Sequence, residues 1–253
     1  MTVGAVTDKP RKLANGCGKI AKIVENGSAE LGIDLPSGAG AEFEEYYIFL
    51  DRQSRTANLT AITGPEEVAL RHFLDSIALL KPAQMKNARV IDIGSGAGFP
   101  GIPMKLVEKT IKLTLLDATN KRVRFMSELC ATLGVEAECI HARAEEAAHD
   151  LDKRERFDVA VSRAVAKMGM LCELCLPFVC VGGFFIAMKG ADSTGELDEA
   201  QNAIKTLGGK FKEWFVYTIP GTDIVHSAAI IQKISPTPEK YPRRFARIQK
   251  NPL

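Results

Sequence analysis

The chain has 253 residues, 46% of them apolar and 25% charged. That suffices for one large α/β domain with a small appendage, and it is too much hydrophobicity for a disordered, fibrous or low-complexity chain. With 33 basic and 31 acidic residues the formal charge is +2, so the total gives no sign of a strongly basic nucleic-acid binder. Only the distribution of charge can speak to partners.

Residues 1–22 carry Lys9, Arg11, Lys12, Lys19 and Lys22 without the apolar core of a secretory leader, which predicts a cytoplasmic protein. Residues 1–40 are weakly patterned, and Leu35-Pro36-Ser37-Gly38-Ala39-Gly40 reads as a hinge, so poor order is expected there. From about residue 41 to 85 the spacing turns helical. Phe43, Tyr46, Tyr47, Phe49 and Leu50 form one apolar face; Pro65-Glu66-Glu67 marks a helix start; Leu70, Phe73, Leu74 and Ile77 continue the stripe.

Over residues 86–235 short apolar strands alternate with helices. The expected strands are Val90–Ile93, Leu113–Leu116, Ala137–Ile140, Val159–Val161, Phe184–Met188, Trp214–Tyr217 and Ala228–Gln232, with helices such as Lys121–Leu133 and Glu196–Leu207 between them. This order predicts a doubly wound, Rossmann-like α/β fold: seven strands, mostly parallel, with an antiparallel hairpin at one edge where Pro220-Gly221 joins the last two. The apolar run 171–188 approaches membrane-span length but is broken by Glu173, Pro177 and Gly182-Gly183, so a buried helix, a turn and a core strand fit it better. The six cysteines (Cys17, Cys130, Cys139, Cys172, Cys175, Cys180) are spaced irregularly, as reduced thiols are. Cys172 and Cys175 have C-x-x-C spacing without a second pair; core packing is expected, and no metal. Residues 236–253 form a Pro-rich basic tail that builds no core alone, either solvated or held by a polyanion.

The most informative segment is Asp92-Ile93-Gly94-Ser95-Gly96-Ala97-Gly98-Phe99-Pro100-Gly101. A buried strand feeding alternating glycines and a helix start lets backbone approach a ligand closely. Two cofactor classes compete. Gly96, Gly98 and Gly101 satisfy the G-x-G-x-x-G spacing of a dinucleotide site, where a pyrophosphate rests on the helix N-terminus. The D-x-G-x-G-x-G pattern from Asp92 instead suits S-adenosylmethionine, whose ammonium and sulfonium an aspartate can face. The aspartate favours the second. Asp117, at the end of the next strand, can accept both ribose hydroxyls in either case. Arg163, after the fourth strand, falls at the crevice beside strand one.

Absences narrow the acceptor. There is no Pro-Pro of an amino-directed [DN]-P-P-[FY] loop, and no Pro-Cys of a pyrimidine carbon-5 enzyme. A ring nitrogen such as guanine N7 needs neither, because its lone pair meets the methyl directly and asks only for placement and electrostatics. No catalytic acid or base is therefore expected, Arg163 being the one weak candidate, and the lone His72 reads as structural.

Several stretches together resemble the bacterial RsmG (GidB) family, which methylates N7 of guanine 527 in 16S rRNA. They are Asn58-Leu59-Thr60-Ala61-Ile62, Pro65-Glu66-Glu67, residues 71–76, residues 92–103, Asp117 with Asn120-Lys121-Arg122, Arg143-Ala144-Glu145, Ser162-Arg163-Ala164, residues 173–177 and Tyr241-Pro242-Arg243-Arg244. The likeness runs from about Tyr46 to the C-terminus; the residues before about Ala41 find no match. The resemblance implies S-adenosylmethionine contacts at Gly94, Ser95, Gly96, Phe99, Asp117, Ala144, Glu145 and Arg163, and the small ribosomal subunit as partner of a monomeric enzyme. Gln53-Ser54 and, in the tail, Ala246 and Ile248 depart from the family's usual residues. Clustered cations nominate Lys121, Arg122, Arg124, Arg163, Lys189, Arg243, Arg244, Arg247 and Lys250 as RNA contacts. The rivals are an NAD-type oxidoreductase, a non-catalytic RNA-binding protein and a small-molecule methyltransferase.

Overall fold

The structure, a computed structural model, describes residues 18–57, 60, 62–163, 166–190 and 194–253. Cys17 and part of the matched Asn58–Ile62 and Ser162–Ala164 stretches (Asn58, Leu59, Ala61 and Ala164) lie outside the described residues.

The chain opens with α1 (Lys19–Glu30) and α2 (Ala39–Ala57). A continuous helical run over residues 65–80 follows: α3 (Pro65–Val68), a π-helical stretch (Ala69–Leu74), α4 (Asp75–Ile77) and a 3-10 turn (Ala78–Leu80). Then come β1 (Arg89–Ile93), α5 (Gly101–Val107), β2 (Lys112–Asp117), α6 (Asn120–Leu133), β3 (Ala137–His141), α7 (Ala144–Ala147), β4 (Phe157–Ser162) and α8 (Met168–Cys175). A 3-10 turn (Leu176–Phe178) leads into β5 (Val179–Gly190), α9 (Thr194–Thr206), β6 (Gly209–Thr218), β7 (Val225–Lys233) and α10 (Phe245–Lys250).

One seven-stranded sheet results, in the order β3-β2-β1-β4-β5-β7-β6. β1 to β5 pair in parallel, while β7 runs antiparallel to both β5 and β6, so the expected hairpin closes one edge with its reversed strand one place in. Strand side chains alternate between two cores. Val90, Leu115, Val161 and Ile186 face the N-terminal helices, α5 and α6, whereas Ile91, Leu116, Ala160 and Phe185 face the layer of α7, α8 and α9. Cys172 and Cys175 are buried in that second layer, as core packing requires. Among the described residues no helix is long and apolar enough to cross a membrane.

One expectation is corrected. Residues 18–40 are not poorly ordered: α1 buries Ile20 and Val24, and it ends on buried Leu31. Gly27 is the contact point, because a Cβ there would come within 2.3 Å of Leu74. The tail is anchored at a few buried points while most of its residues stay exposed. Tyr241 and Ile248 are buried, and the Arg154 guanidinium donates to the carbonyls of Thr237 at 2.8 Å and Tyr241 at 2.8 Å. In the helical segment 41–85, Phe43, Tyr46, Phe73 and Ile77 share one core with the sheet.

Candidate active site

β1 delivers Asp92 to the carboxyl edge of the sheet, where the chain turns through Gly94, Gly96 and Gly98 at φ of +75°, +60° and +94°. These left-handed values exclude most side chains. The loop is locked from within: the Gly94 amide donates to Leu116 O at 2.8 Å, and the Ser95 hydroxyl donates to Asp92 O at 2.8 Å. The two outer glycines have different tasks. Gly94 is exposed, and a Cβ built on it would meet nothing within 4 Å, so open space lies above it. A Cβ on Gly98 would come within 2.7 Å of the Tyr46 hydroxyl, so that glycine permits close packing of α2, whose Tyr46 donates to Ala97 O at 2.6 Å.

Asp92 distinguishes the two cofactor classes. Its Oδ2 accepts the Gly101 amide at 2.8 Å and so occupies the N-terminus of α5, where a dinucleotide's pyrophosphate would have to sit. An anion there would meet a carboxyl instead of free amides. Oδ1 is buried with no hydrogen-bond partner, and burial lifts the carboxyl to about 7 against the pull of the Gly101 amide and Arg163. A cationic ligand over the loop would answer both features. Asp117 ends β2 and is pinned by the amides of Gly96 at 3.0 Å and Thr119 at 2.8 Å, one on each oxygen, which leaves lone pairs for hydroxyl groups. The residues present therefore fit S-adenosylmethionine.

The other nominated residues divide. Ser95 and Phe99 are buried, so neither offers an exposed side chain to a ligand over the loop. The Phe99 ring stacks on Tyr46 at 5.3 Å and lies beneath the Arg163 guanidinium at 4.8 Å. Ala144 and Glu145 begin α7 at the same sheet edge, where Glu145 is buried and accepts Arg143 Nε at 2.7 Å. Arg163 reaches across to the helical run, donating to His72 Nδ1 at 3.0 Å and to Arg71 O at 3.3 Å. His72 Nδ1 also lies 3.0 Å from the Arg71 carbonyl, and its Nε2 lies 2.9 Å from Thr60 Oγ1. Burial and the adjacent guanidinium lower its pKa to about 4, so the ring is neutral, as a structural histidine is. The π-helical stretch, which no local pattern announced, presents the Arg71 carbonyl and the His72 ring to one guanidinium.

Two nominated RNA contacts are corrected. Arg243 is a structural clamp: its Nε and Nη2 donate to the two oxygens of buried Glu173 at 2.8 and 2.6 Å. Lys189 is almost wholly buried, bonded to Glu196 at 2.6 Å and to Ala166 O at 2.8 Å. Neither charge is free for phosphate. Lys121, Arg122 and Arg124 at the start of α6, and Arg244, Arg247 and Lys250 around α10, are exposed. The two groups belong to opposite sides of the Asp117–Glu145 edge, because α6 follows β2 directly and Phe245 of α10 lies 4.9 Å beneath the guanidinium of Arg143.

The strand order, the glycine turn after β1 and the acid after β2 define a Rossmann-like methyltransferase domain. A solved structure from Methanococcus maripaludis, described as an S-adenosyl-L-methionine-dependent methyltransferase, shares the fold with a TM-score of 0.51 and 14% identity, over 75% of this chain and 92% of that one. Residues 39–219 match the family model GidB, rRNA small subunit methyltransferase G. Proteins named ribosomal RNA small subunit methyltransferase G are 44% identical in Thermoanaerobacter sp. strain X514, over 93% of this chain and 99% of that protein, and 45% identical in Alkaliphilus metalliredigens, over 91% and 98%. The chain belongs to the rRNA small subunit methyltransferase G family. The Thermoanaerobacter match spans 237 residues, more than the 213 from position 41 onward (253 − 40), so the likeness reaches into α1 and does not begin near Ala41 as expected.

Proposed function

We propose that this chain transfers the methyl group of S-adenosylmethionine to N7 of guanine 527 in the 16S rRNA of the small ribosomal subunit, as a cytoplasmic monomer. The observation that carries the cofactor choice is Asp92 occupying the N-terminus of α5 beneath an open Gly94. The cofactor supplies a methyl made electrophilic by its sulfonium. Gly94 and Gly96 hold the nucleoside by their main chain, Asp117 takes the ribose hydroxyls, and Ala144 and Glu145 border the adenine. Asp92 balances the cationic end. N7 attacks with its own lone pair, so the protein contributes alignment and desolvation and removes no proton. The exposed cations Lys121, Arg122, Arg124, Arg244, Arg247 and Lys250 hold the RNA backbone on both sides of that cleft.

The test is methylation of small subunits purified from cells lacking the protein, read by mass analysis of the rRNA, with calorimetry of S-adenosylhomocysteine and NAD binding. A single added methyl at the expected guanine and binding of S-adenosylhomocysteine alone are expected. Preferential NAD binding, or no methyl gained, refutes the proposal.

A further inference from the structure

A cavity of about 570 Å³ opens at the carboxyl ends of β4 and β5, lined by His72, Asp75, Arg163, Lys189, Glu196 and His226 among others. It adjoins the glycine loop, since Arg163 forms its wall and covers Phe99 at 4.8 Å. A larger cavity, about 1040 Å³ around Lys112 and Glu136, lies at the opposite ends of the strands, away from the loop.

The two sides of the smaller cavity have opposite hydrogen-bonding character. On β7, His226 Nδ1 lies 2.8 Å from Asp75 Oδ1, which also accepts the Tyr217 hydroxyl at 2.7 Å. A carboxylate has no hydrogen to give, so Nδ1 carries one, and Nε2 is the ring nitrogen left for the cavity. The bond to Asp75 raises the His226 pKa above its ordinary 6.5, which favours an imidazolium that donates from Nε2. On α9, Glu196 Oε2 accepts both Lys189 Nζ at 2.6 Å and the Met168 amide at 3.0 Å, leaving Oε1 unused among the described residues. Burial pushes the Glu196 carboxyl up, but the bond to Lys189, the charges of Lys189 and Lys167 and the Met168 amide together outweigh it and hold the group below its ordinary value, as a carboxylate.

A donor opposite an acceptor is the complement of guanine. Its Watson–Crick edge offers N1–H and N2–H beside the O6 acceptor, whereas adenine offers an acceptor at N1 beside a donor at N6. We propose that this cavity receives the acceptor guanine, with Glu196 Oε1 accepting from N1–H and N2–H and His226 Nε2–H donating to O6. The assignment rests on the methyl-transfer reading above. Holding that edge leaves N7, on the other ring, free for the methyl. As N7 gains the methyl the purine becomes cationic and N1–H more acidic, so the bond to Glu196 strengthens toward the transition state and the grip also accelerates the reaction. Lys189 is then a positioning residue, aiming the carboxylate.

The test uses the full chain as Glu196→Gln and His226→Gln, with single-turnover methylation of small subunits from cells lacking the protein and S-adenosylhomocysteine affinity measured on the same preparations. Glu196→Gln should slow transfer about tenfold or more, with cofactor affinity within about twofold of wild type. In the wild type the rate should fall as pH rises through the elevated His226 pKa, and His226→Gln should abolish that limb. The groups facing His226 are Asp75 and Arg71 from the helical run, Arg163, Tyr217 on β6, Lys189 on β5, and Lys167 and Glu196; burial pushes the Tyr217 hydroxyl well above its ordinary value, so it stays protonated throughout that limb. If both variants methylate within about twofold of wild type and keep its pH profile, the cavity is not the guanine site. A loss of cofactor affinity matching the loss of rate overturns it too, because the side chains would then act through the fold. Wild-type protein that leaves the subunits unmethylated refutes the proposed function instead.

Discussion

Asp92 makes the sharpest prediction, because its burial converts into a measurable pH dependence. The folded-state carboxyl titrates near 7 against 3.8 for an exposed aspartate. A folded pKa above the unfolded one means that its contribution is fully present below 3.8 and is lost as pH rises through 7. Across pH 5 to 8 the loss amounts to about 2.5 kcal/mol, from 1.36 kcal/mol per unit of differential titration. Asp92→Asn keeps an oxygen for the Gly101 amide and removes the ionisation. Urea unfolding of both proteins without ligand should therefore give a stability difference that shifts in favour of the variant by about 2.5 kcal/mol between pH 5 and pH 8. The same variant should bind S-adenosylhomocysteine more weakly above pH 7, having lost the charge opposite the ligand's ammonium. Stability curves that run parallel across that range would show that Asp92 does not titrate between 4 and 7, and the account of its orphaned oxygen would fall.

Three further outcomes follow from the same geometry. Gly94→Val should abolish S-adenosylhomocysteine binding in calorimetry while costing about 1–2 kcal/mol of stability, since the strain is local and the space open; unchanged affinity would misplace the cofactor. Arg243→Ala strands buried Glu173 and should destabilise by about 3–5 kcal/mol, whereas Arg244→Ala with Arg247→Ala should leave melting unchanged and reduce the slope of RNA affinity against salt by about 2; equal effects of the two on melting would erase the distinction. His72, lowered to about 4 from 6.5, contributes stability present above 6.5 and lost as pH falls through 4, about 3 kcal/mol in all. His72→Gln should flatten that acid limb, and an unaltered acid midpoint would mean the ring is not buried neutral.

The sheet and the glycine turn were legible because their signals are local. Apolar runs bounded by turn residues identify buried strands whatever surrounds them, and a strand entering alternating glycines needs only neighbouring residues to be recognised. What was missed depends on partners distant in sequence. Nothing near Gly27 in the sequence marks it as a packing point, because the Leu74 side chain it admits belongs to another element. Gly182-Gly183 reads as a break, yet β5 continues through the pair, where a Cβ on Gly183 would come within 2.5 Å of the Asp158 carbonyl. The cations show the same limit most clearly. Arg243 and Arg244 are adjacent and chemically alike, but only one meets a carboxylate 70 positions away. Composition counts both as free charge, and only the packing of α8 under the tail separates clamp from contact. His226 offered no motif at all, because the aspartate that orients it lies 151 residues earlier on another element.

The charge balance of the cleft explains why a site without a general base can still be crowded with ionisable groups. Arg163 is largely desolvated, which lowers its pKa, and Asp75 at 3.8 Å, Tyr46 and Asp92 oppose that. Its positive charge would repel a sulfonium if it stood alone over the glycine loop. It is directed away, onto the Arg71 carbonyl, His72 and Asp75, while its face rests on Phe99. Asp92, at the end of β1 beneath the glycine loop, has a carboxyl that titrates near neutrality. A cation arriving over Gly94 would favour ionisation of Asp92, so the charge brought in by the donor is met by one the protein creates in response. In the proposed guanine site Glu196, which lines the adjoining cavity, would stand beside the base as it becomes cationic, so the donor and the methylated base would each have a carboxylate at hand.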